Sequence, residues 1–215
     1  MHLLHVHSSP RQSESHSYRL AQHFLAHLEE RVTPLAVDRW DLFAEALPAV
    51  DERFLAVKAK AAAGGELSNP ERVLWSRVEA AIGRIRQADA LLFSLPMWNF
   101  GSPYVFKQFI DVVTQHGYLF EYGADGPRGL LGNMPALAIL ARGGDYRAGA
   151  PAAAMDQQTD YLRTIFGFWG ISSPRIVAVQ PTLGDVEAKE TAYREAKLAV
   201  EGFAASMAGA MSARA

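Results

Sequence analysis

Three short stretches carry residue types that could do chemistry. The first, Ser8 to Ser17 (SSPRQSESHS), holds five serines in ten residues and runs directly into a helix-like pattern. Open amides at a helix N-terminus, joined by hydroxyl donors, make an anion site and suit a phosphate. The stretch contains neither Gly-x4-Gly-Lys nor Gly-x-Gly-x2-Gly, so it is neither a Walker loop nor a dinucleotide fingerprint. Without a ligand it would read as a polar turn whose serines cap a helix. The second stretch is Pro96-Met97-Trp98-Asn99-Phe100-Gly101-Ser102-Pro103. Two prolines bracket two aromatics and an Asn, a setting for a planar heteroaromatic ligand. Read as packing alone, Trp98 and Phe100 close the top of a core. The third is Ala141-Arg142-Gly143-Gly144-Asp145-Tyr146, where paired glycines permit positive φ and close approach of backbone to a ligand. A flexible turn is the plain alternative.

These stretches need elements to hold them. Leu3–Val6 reads as a first strand, and Ser15 to about Glu30 as a helix with Tyr18, Ala21, Leu25 and Leu28 at helical spacing. Leu35–Val37 reads as a short second strand, and residues 41–67 as mixed short helix and loop. Ser68-Asn69-Pro70-Glu71 is a helix start, with a capping residue, a first-turn proline and an acid. That helix continues to about Gln87. Ala90–Leu95 is an apolar third strand of the kind found in parallel sheets covered on both sides. A helix over Val105–His116 should end at Gly117. A fourth strand at Ala136–Leu140, a helix over Met155–Phe168, a fifth strand at Ile176–Val179 and a last helix from Val186 to about Met207 complete the series. Strand–helix alternation repeated five times predicts an α/β, doubly wound, five-stranded parallel sheet of order 2-1-3-4-5 with helices on both faces. In such a sheet ligands bind beyond the carboxyl ends of the strands, at the switch point. The three chemical stretches follow the first, third and fourth strands. Phosphate first, ring second and ring edge third is the layout of a flavin mononucleotide (FMN) site.

Composition excludes other classes. The chain has 215 residues, 49% apolar and 20% charged, which fits one domain spanning residues 1–215 and excludes disordered or low-complexity chains. A net charge of -2 argues against a dedicated nucleic-acid partner. With no cysteine there are no disulfides, thiolate nucleophiles or iron–sulfur clusters. The first residues show no secretory pattern, and the weakly apolar Gly202–Ala213 is too short to span a bilayer, so a cytoplasmic protein without a membrane partner is expected. His2, His5 and His7 share a strand without an acidic neighbour, a poor zinc pattern, and no metal is expected. Lys107 and Asp111 read as a structural pair, and Asp145 and Tyr146 as loop residues facing solvent.

Nearly the whole chain resembles the FMN-dependent NADH-azoreductases and related NADH:quinone oxidoreductases, which are flavodoxin-like. The likeness rests on Ser8-Ser9, Ser15-His16-Ser17, Pro96-Met97-Trp98-Asn99-Phe100, Lys107 with Asp111, Gly126-Pro127, Arg142-Gly143-Gly144 and Gly167-Phe168-Trp169-Gly170-Ile171. It implies that Ser9, Ser15, His16 and Ser17 hold the FMN phosphate. Met97, Trp98, Asn99 and Phe100 line the isoalloxazine, and Ala141, Arg142, Gly143 and Gly144 reach its pyrimidine edge. Trp98 stands where Tyr is common and Ala141 where Ser is common; both positions bear on substrate preference. The resemblance further implies NADH or NADPH as hydride donor, quinones and azo compounds as acceptors, and a homodimer. An electron-carrier flavodoxin is the main alternative, and the near-zero charge balance argues against it. An NAD(P)H:FMN reductase on the same fold is a further one. A phospho-receiver would need acids where Ser8-Ser9 and Pro96-Met97 stand, and a serine hydrolase would need an absent Gly-x-Ser-x-Gly.

Overall fold

The computed structural model describes residues 1–212. Its central sheet has five parallel strands in the order β2-β1-β3-β6-β7: β1 (His2–His7), β2 (Ala36–Asp41), β3 (Ala90–Pro96), β6 (Ala136–Ala141) and β7 (Arg175–Val179). Counting only the sheet strands, this is the expected order. The numbering shifts because an antiparallel hairpin, β4 (Phe120–Gly123) and β5 (Gly126–Gly129), stands between the third and fourth sheet strands. The helices are α1 (His16–Glu29), α2 (Glu52–Ala62), α3 (Asn69–Arg86), α4 (Tyr104–Val113), α5 (Gln158–Phe168) and α6 (Val186–Ser212). The segment expected as a weakly apolar tail forms the last turns of α6 as far as Ser212, and Ala213 lies outside the described residues. Among the described residues no helix is long and apolar enough to cross a membrane.

Strand alternation feeds two cores. Leu4, Val6, Leu91, Phe93, Leu95, Ala138 and Leu140 face α3, α4 and α5, while Leu3, Leu92, Leu137 and Ile139 face α1 and α6. Each central strand is therefore apolar on both faces.

Local chemistry explains where elements start and stop. Ser68 and Glu71 form a capping box at α3. Asp51 caps α2 by accepting from the Phe54 amide at 2.8 Å, giving residues 41–67 more regular helix than expected. The helix expected to reach His116 stops at Val113. The Gln115 side chain turns back and donates to the carbonyls of Asp111 and Val112, taking the acceptors that a further turn would use. β2 is longer than expected and carries Asp38, Arg39 and Trp40. It is an edge strand, and Arg84 covers it, bonding Asp38 at 2.7 Å and lying 4.2 Å over the Trp40 ring. At the far end of the hairpin, a Cβ on Gly129 would come within 2.0 Å of the Gly170 nitrogen. Gly129 therefore lets the hairpin lie flat on the end of α5, where Gly170 takes φ +94°.

Candidate active site

The carboxyl ends of β1, β3, β6 and β7 open onto one cavity of about 250 Å³. Its walls come from Ser9, Pro10, Arg11, Ser15 and His16 after β1, and from Pro96, Met97 and Trp98 at the end of β3. Ala141 and Gly143 after β6, with Thr182 and Leu183 after β7, close it.

One end is built for an anion. Ser15 caps α1, its Oγ accepting from the Tyr18 amide at 3.5 Å and lying 3.1 Å from Ser17 Oγ. Helix geometry leaves the first-turn amides of His16 and Ser17 without an intrahelical acceptor. The imidazole of His16 is held below its ordinary pKa, first by burial and then by the charges of Arg11, Arg19 and Lys189. Of these cations, Arg11 lines the cavity beside the two helix amides. Beneath the loop lies a buried polar layer. The Ser94 hydroxyl bonds both His5 Nε2 (2.9 Å) and His7 Nδ1 (3.1 Å), and the Ser8 amide donates to the Ser94 carbonyl at 3.1 Å. Burial, with smaller contributions from His7 and Arg39, lowers the His5 pKa to about 3, so His5 is neutral in the folded protein. Ser8 Oγ is buried with no partner among the described residues.

The other end is a strained aromatic hairpin. Trp98 and Gly101 exchange two backbone hydrogen bonds, of 2.9 and 3.0 Å, around Asn99 at φ +47° and Phe100 at φ +70°. Both central residues are left-handed, as in a type I′ turn. Asn tolerates that conformation, whereas for Phe it costs about 1–2 kcal/mol. The turn keeps both aromatics at the surface: Trp98 is 38% and Phe100 40% exposed. Phe43 from the loop after β2 supports Trp98, their rings 6.0 Å apart.

The third stretch is held from below. Arg142 is buried, and its guanidinium turns away from the cavity toward Asp156 (2.8 and 3.2 Å) and Thr159 (2.7 Å). Its carbonyl accepts from the Thr182 amide at 2.8 Å, and the Gly143 carbonyl from the Leu183 amide at 3.2 Å, which ties the loops after β6 and β7 together. Neither Gly143 nor Gly144 takes the positive φ that glycine permits. At Gly143 a Cβ would meet only the exposed Leu183 side chain, at 2.9 Å.

Of the residues singled out from sequence, Ser9, Ser15, His16, Met97, Trp98, Ala141 and Gly143 share this cavity. Ser17 is buried behind Ser15, Asn99 and Phe100 form the hairpin tip beside the mouth, Arg142 is the anchor, and Gly144 packs on Tyr146. Arg11, Thr182 and Leu183 were not anticipated. A hydroxyl residue two positions past the residue that follows the last strand, at a carboxyl end, was the available signal for Thr182. A larger groove of about 750 Å³ runs between α1 and α6 and shares only His16 and Thr182 with the cavity.

Residues 1–202 match the flavodoxin-like fold family. A protein of Nitratidesulfovibrio vulgaris (strain DP4), "FMN-dependent NADH:quinone oxidoreductase", is 36% identical over 181 residues, which is 84% of this chain and 87% of that one. The "FMN-dependent NADH:quinone oxidoreductase 2" of Pseudomonas syringae pv. tomato is 35% identical over 207 residues, covering 96% and 99%. The chain belongs to the flavodoxin-like family of NADH:quinone oxidoreductases and azoreductases. Solved members superpose closely. The azoreductase of Bacillus anthracis str. Sterne has a TM-score of 0.87 at 26% identity, covering 95% of this chain and 98% of that one. A B. anthracis str. Ames Ancestor FMN-dependent NADH-azoreductase, solved in complex with FMN, has a TM-score of 0.84 at 26% identity, covering 94% and 99%. Membership in this oxidoreductase family makes the chain an enzyme.

Proposed function

We propose that the chain is an FMN-dependent NAD(P)H oxidoreductase that reduces quinones to hydroquinones and also reduces azo compounds. The observation that carries this reading is the polarity of one cavity, with Arg11, serine hydroxyls and helix amides at one end and an exposed aromatic hairpin at the other. The residues present fit FMN. Ser9, Ser15, His16 and the first-turn amides of α1 would hold the phosphate, with Ser17 bonded behind Ser15 and Arg11 adding charge. Met97, Trp98, Asn99 and Phe100 would flank the ring, and Ala141, Gly143 and Gly144 would meet its edge through backbone. Arg142 acts there only by fixing the loop. Bound there, FMN would supply hydride transfer between the nicotinamide and the acceptor.

The chain's own part is positioning and electrostatics. The titratable side chains of the cavity wall, Arg11 and His16, both belong to its phosphate end. The ring end therefore works by close stacking and by backbone amides that stabilise charge, without a side-chain acid or base. A single mouth admits donor and acceptor in turn, which gives ping-pong kinetics. The cavity is smaller than the roughly 300–1,000 Å³ of ordinary ligand pockets. Trp98, Phe100, Tyr104 and Leu183 also leave apolar surface exposed around and beside its mouth. A second copy of the chain supplies the missing wall, as an isologous homodimer. In purified protein, flavin absorbance near about 450 nm, one FMN per chain on release, and NADH oxidation dependent on added benzoquinone are expected. Failure to take up FMN would overturn the reading, and a fully active monomer by light scattering would overturn the dimer.

A further inference from the structure

Away from the cavity, α1 and α6 bring three metal-ligating side chains together. His23 and His27 stand one turn apart on α1, so both rings leave the same face of the helix. Glu201 reaches them from α6, and the ligating atoms of all three lie within 4.8 Å of one another. Glu201 Oε1 is 2.6 Å from His23 Nε2 and 3.5 Å from His27 Nε2. Donors bound to zinc at about 2.0–2.1 Å in a tetrahedron stand about 3.3 Å apart. The two observed separations from Glu201 bracket that spacing. The side chains are 25%, 28% and 33% exposed, shielded but reachable from solvent.

The other nitrogen of His27 supplies a second, independent observation. Its Nδ1 is buried and makes no hydrogen bond among the described residues, and Glu30 Oε2 lies 3.7 Å away. A metal-bound histidine usually hands its remaining N–H to a carboxylate, which fixes its tautomer. Glu30 stands where that partner is needed.

We propose that His23, His27 and Glu201 form a divalent transition-metal site of the zinc class, with water completing the coordination and Glu30 orienting His27. Two imidazoles and one carboxylate favour zinc, nickel or cobalt over magnesium and calcium, which take oxygen donors. His23 lies seven residues along α1 from His16, about 10 Å at 1.5 Å per residue. The ion is thus remote from the flavin chemistry. It staples the last helix to the helix whose N-terminus forms the phosphate end.

The test is calorimetric titration of ZnCl2 into the EDTA-treated, FMN-loaded full chain at pH 7.5, with the melting temperature read in parallel. One equivalent should bind at micromolar concentration and raise the melting temperature. The double variant H23A/H27A should lose binding by at least about 100-fold, and E201Q, which keeps the side chain's shape, by at least about 10-fold. E30Q should weaken binding without removing it. No heat at micromolar protein would overturn the proposal. So would zinc binding to H23A/H27A or E201Q as tightly as to the unmodified chain, which would place the ion on other histidines.

Discussion

The two ends of the cavity are built on opposite principles. At the phosphate end Ser8, Ser9, Ser15 and Ser17 are buried, each tied into a cap, a strand end or a polar layer. At the ring end Trp98 and Phe100 are lifted to the surface by a turn that strains Phe100. On the proposed reading, the first end holds the phosphate within one chain, through pre-positioned amides and charges. The second leaves apolar surface exposed, which that reading assigns to the ring and the substrates. Strain is kept where binding can offset it.

The sharpest way to break this contrast is to cut the anchor under the ring-edge loop. Arg142→Ala removes the ion partner of Asp156, which the Gln158 and Thr159 amides and the Thr159 hydroxyl still hold, and stability should drop by about 3 kcal/mol. FMN should also bind more weakly, because the loop after β6 loses its side-chain anchor on Asp156 and Thr159. Urea unfolding of the variant, and of Arg142→Ala with Asp156→Asn, checks this; the second change should recover part of the loss.

Next comes the phosphate end itself. Ser15→Ala with Ser17→Ala should weaken FMN binding by about 1–3 kcal/mol through lost charge-assisted hydrogen bonds. Turnover at saturating FMN should be little changed. Undiminished affinity in a fluorescence titration would move the phosphate elsewhere.

The buried layer below predicts a pH dependence. The unfolded chain binds a proton on His5 below the ordinary value of 6.5, whereas the folded chain does not until about 3. Stability should therefore fall as pH drops through that window, by up to about 1.4 kcal/mol per pH unit from this one group, and not vary with it above. The lowered pKa of His7, also mainly from burial, acts in the same direction. Unfolding curves from pH 7 to 4 should show a shallower slope in His5→Gln.

At the ring end the signs divide. Phe100→Gly should stabilise the folded chain by about 1 kcal/mol by relieving the left-handed residue. It should also raise the KM for quinone several-fold by removing the aromatic flank. The smallest effects belong to the neighbouring loop. Asp145 pairs with Arg147 at 2.8 Å, and the Tyr146 amide bonds Gln180 at 3.2 Å. Asp145→Asn and Tyr146→Phe should each change NADH-driven flavin reduction in stopped flow by less than about 10-fold, or about 1.4 kcal/mol.

Much of this was legible in the sequence for a physical reason. β3 and β6 are largely apolar runs, β1 carries Leu3, Leu4 and Val6, and Ser15 and Ser68 stand where helices begin, so strand order and the two main loops followed from local pattern. What was hidden is non-local. Phe120–Gly129 is short, glycine-rich and without alternation, and its hairpin rests on the backbone of Gly170. In β2, Asp38 and Trp40 are covered by Arg84, a residue of a later helix. Arg142 looked like a ligand contact because its position is right, yet its partners Asp156 and Thr159 come from a distant segment and draw the side chain inward. The same distance in sequence hid the union of His23 and His27 with Glu201.

The central claim is that the chain grips its cofactor by the phosphate and leaves the ring end open. The direct measurement is equilibrium binding of FMN and of riboflavin, which lacks only the phosphate, to flavin-free protein by fluorescence quenching. The account predicts that riboflavin binds at least about 100-fold more weakly, from two or more lost hydrogen bonds to a charged group at about 1.5–3 kcal/mol each. Equal affinity for the two flavins would contradict it.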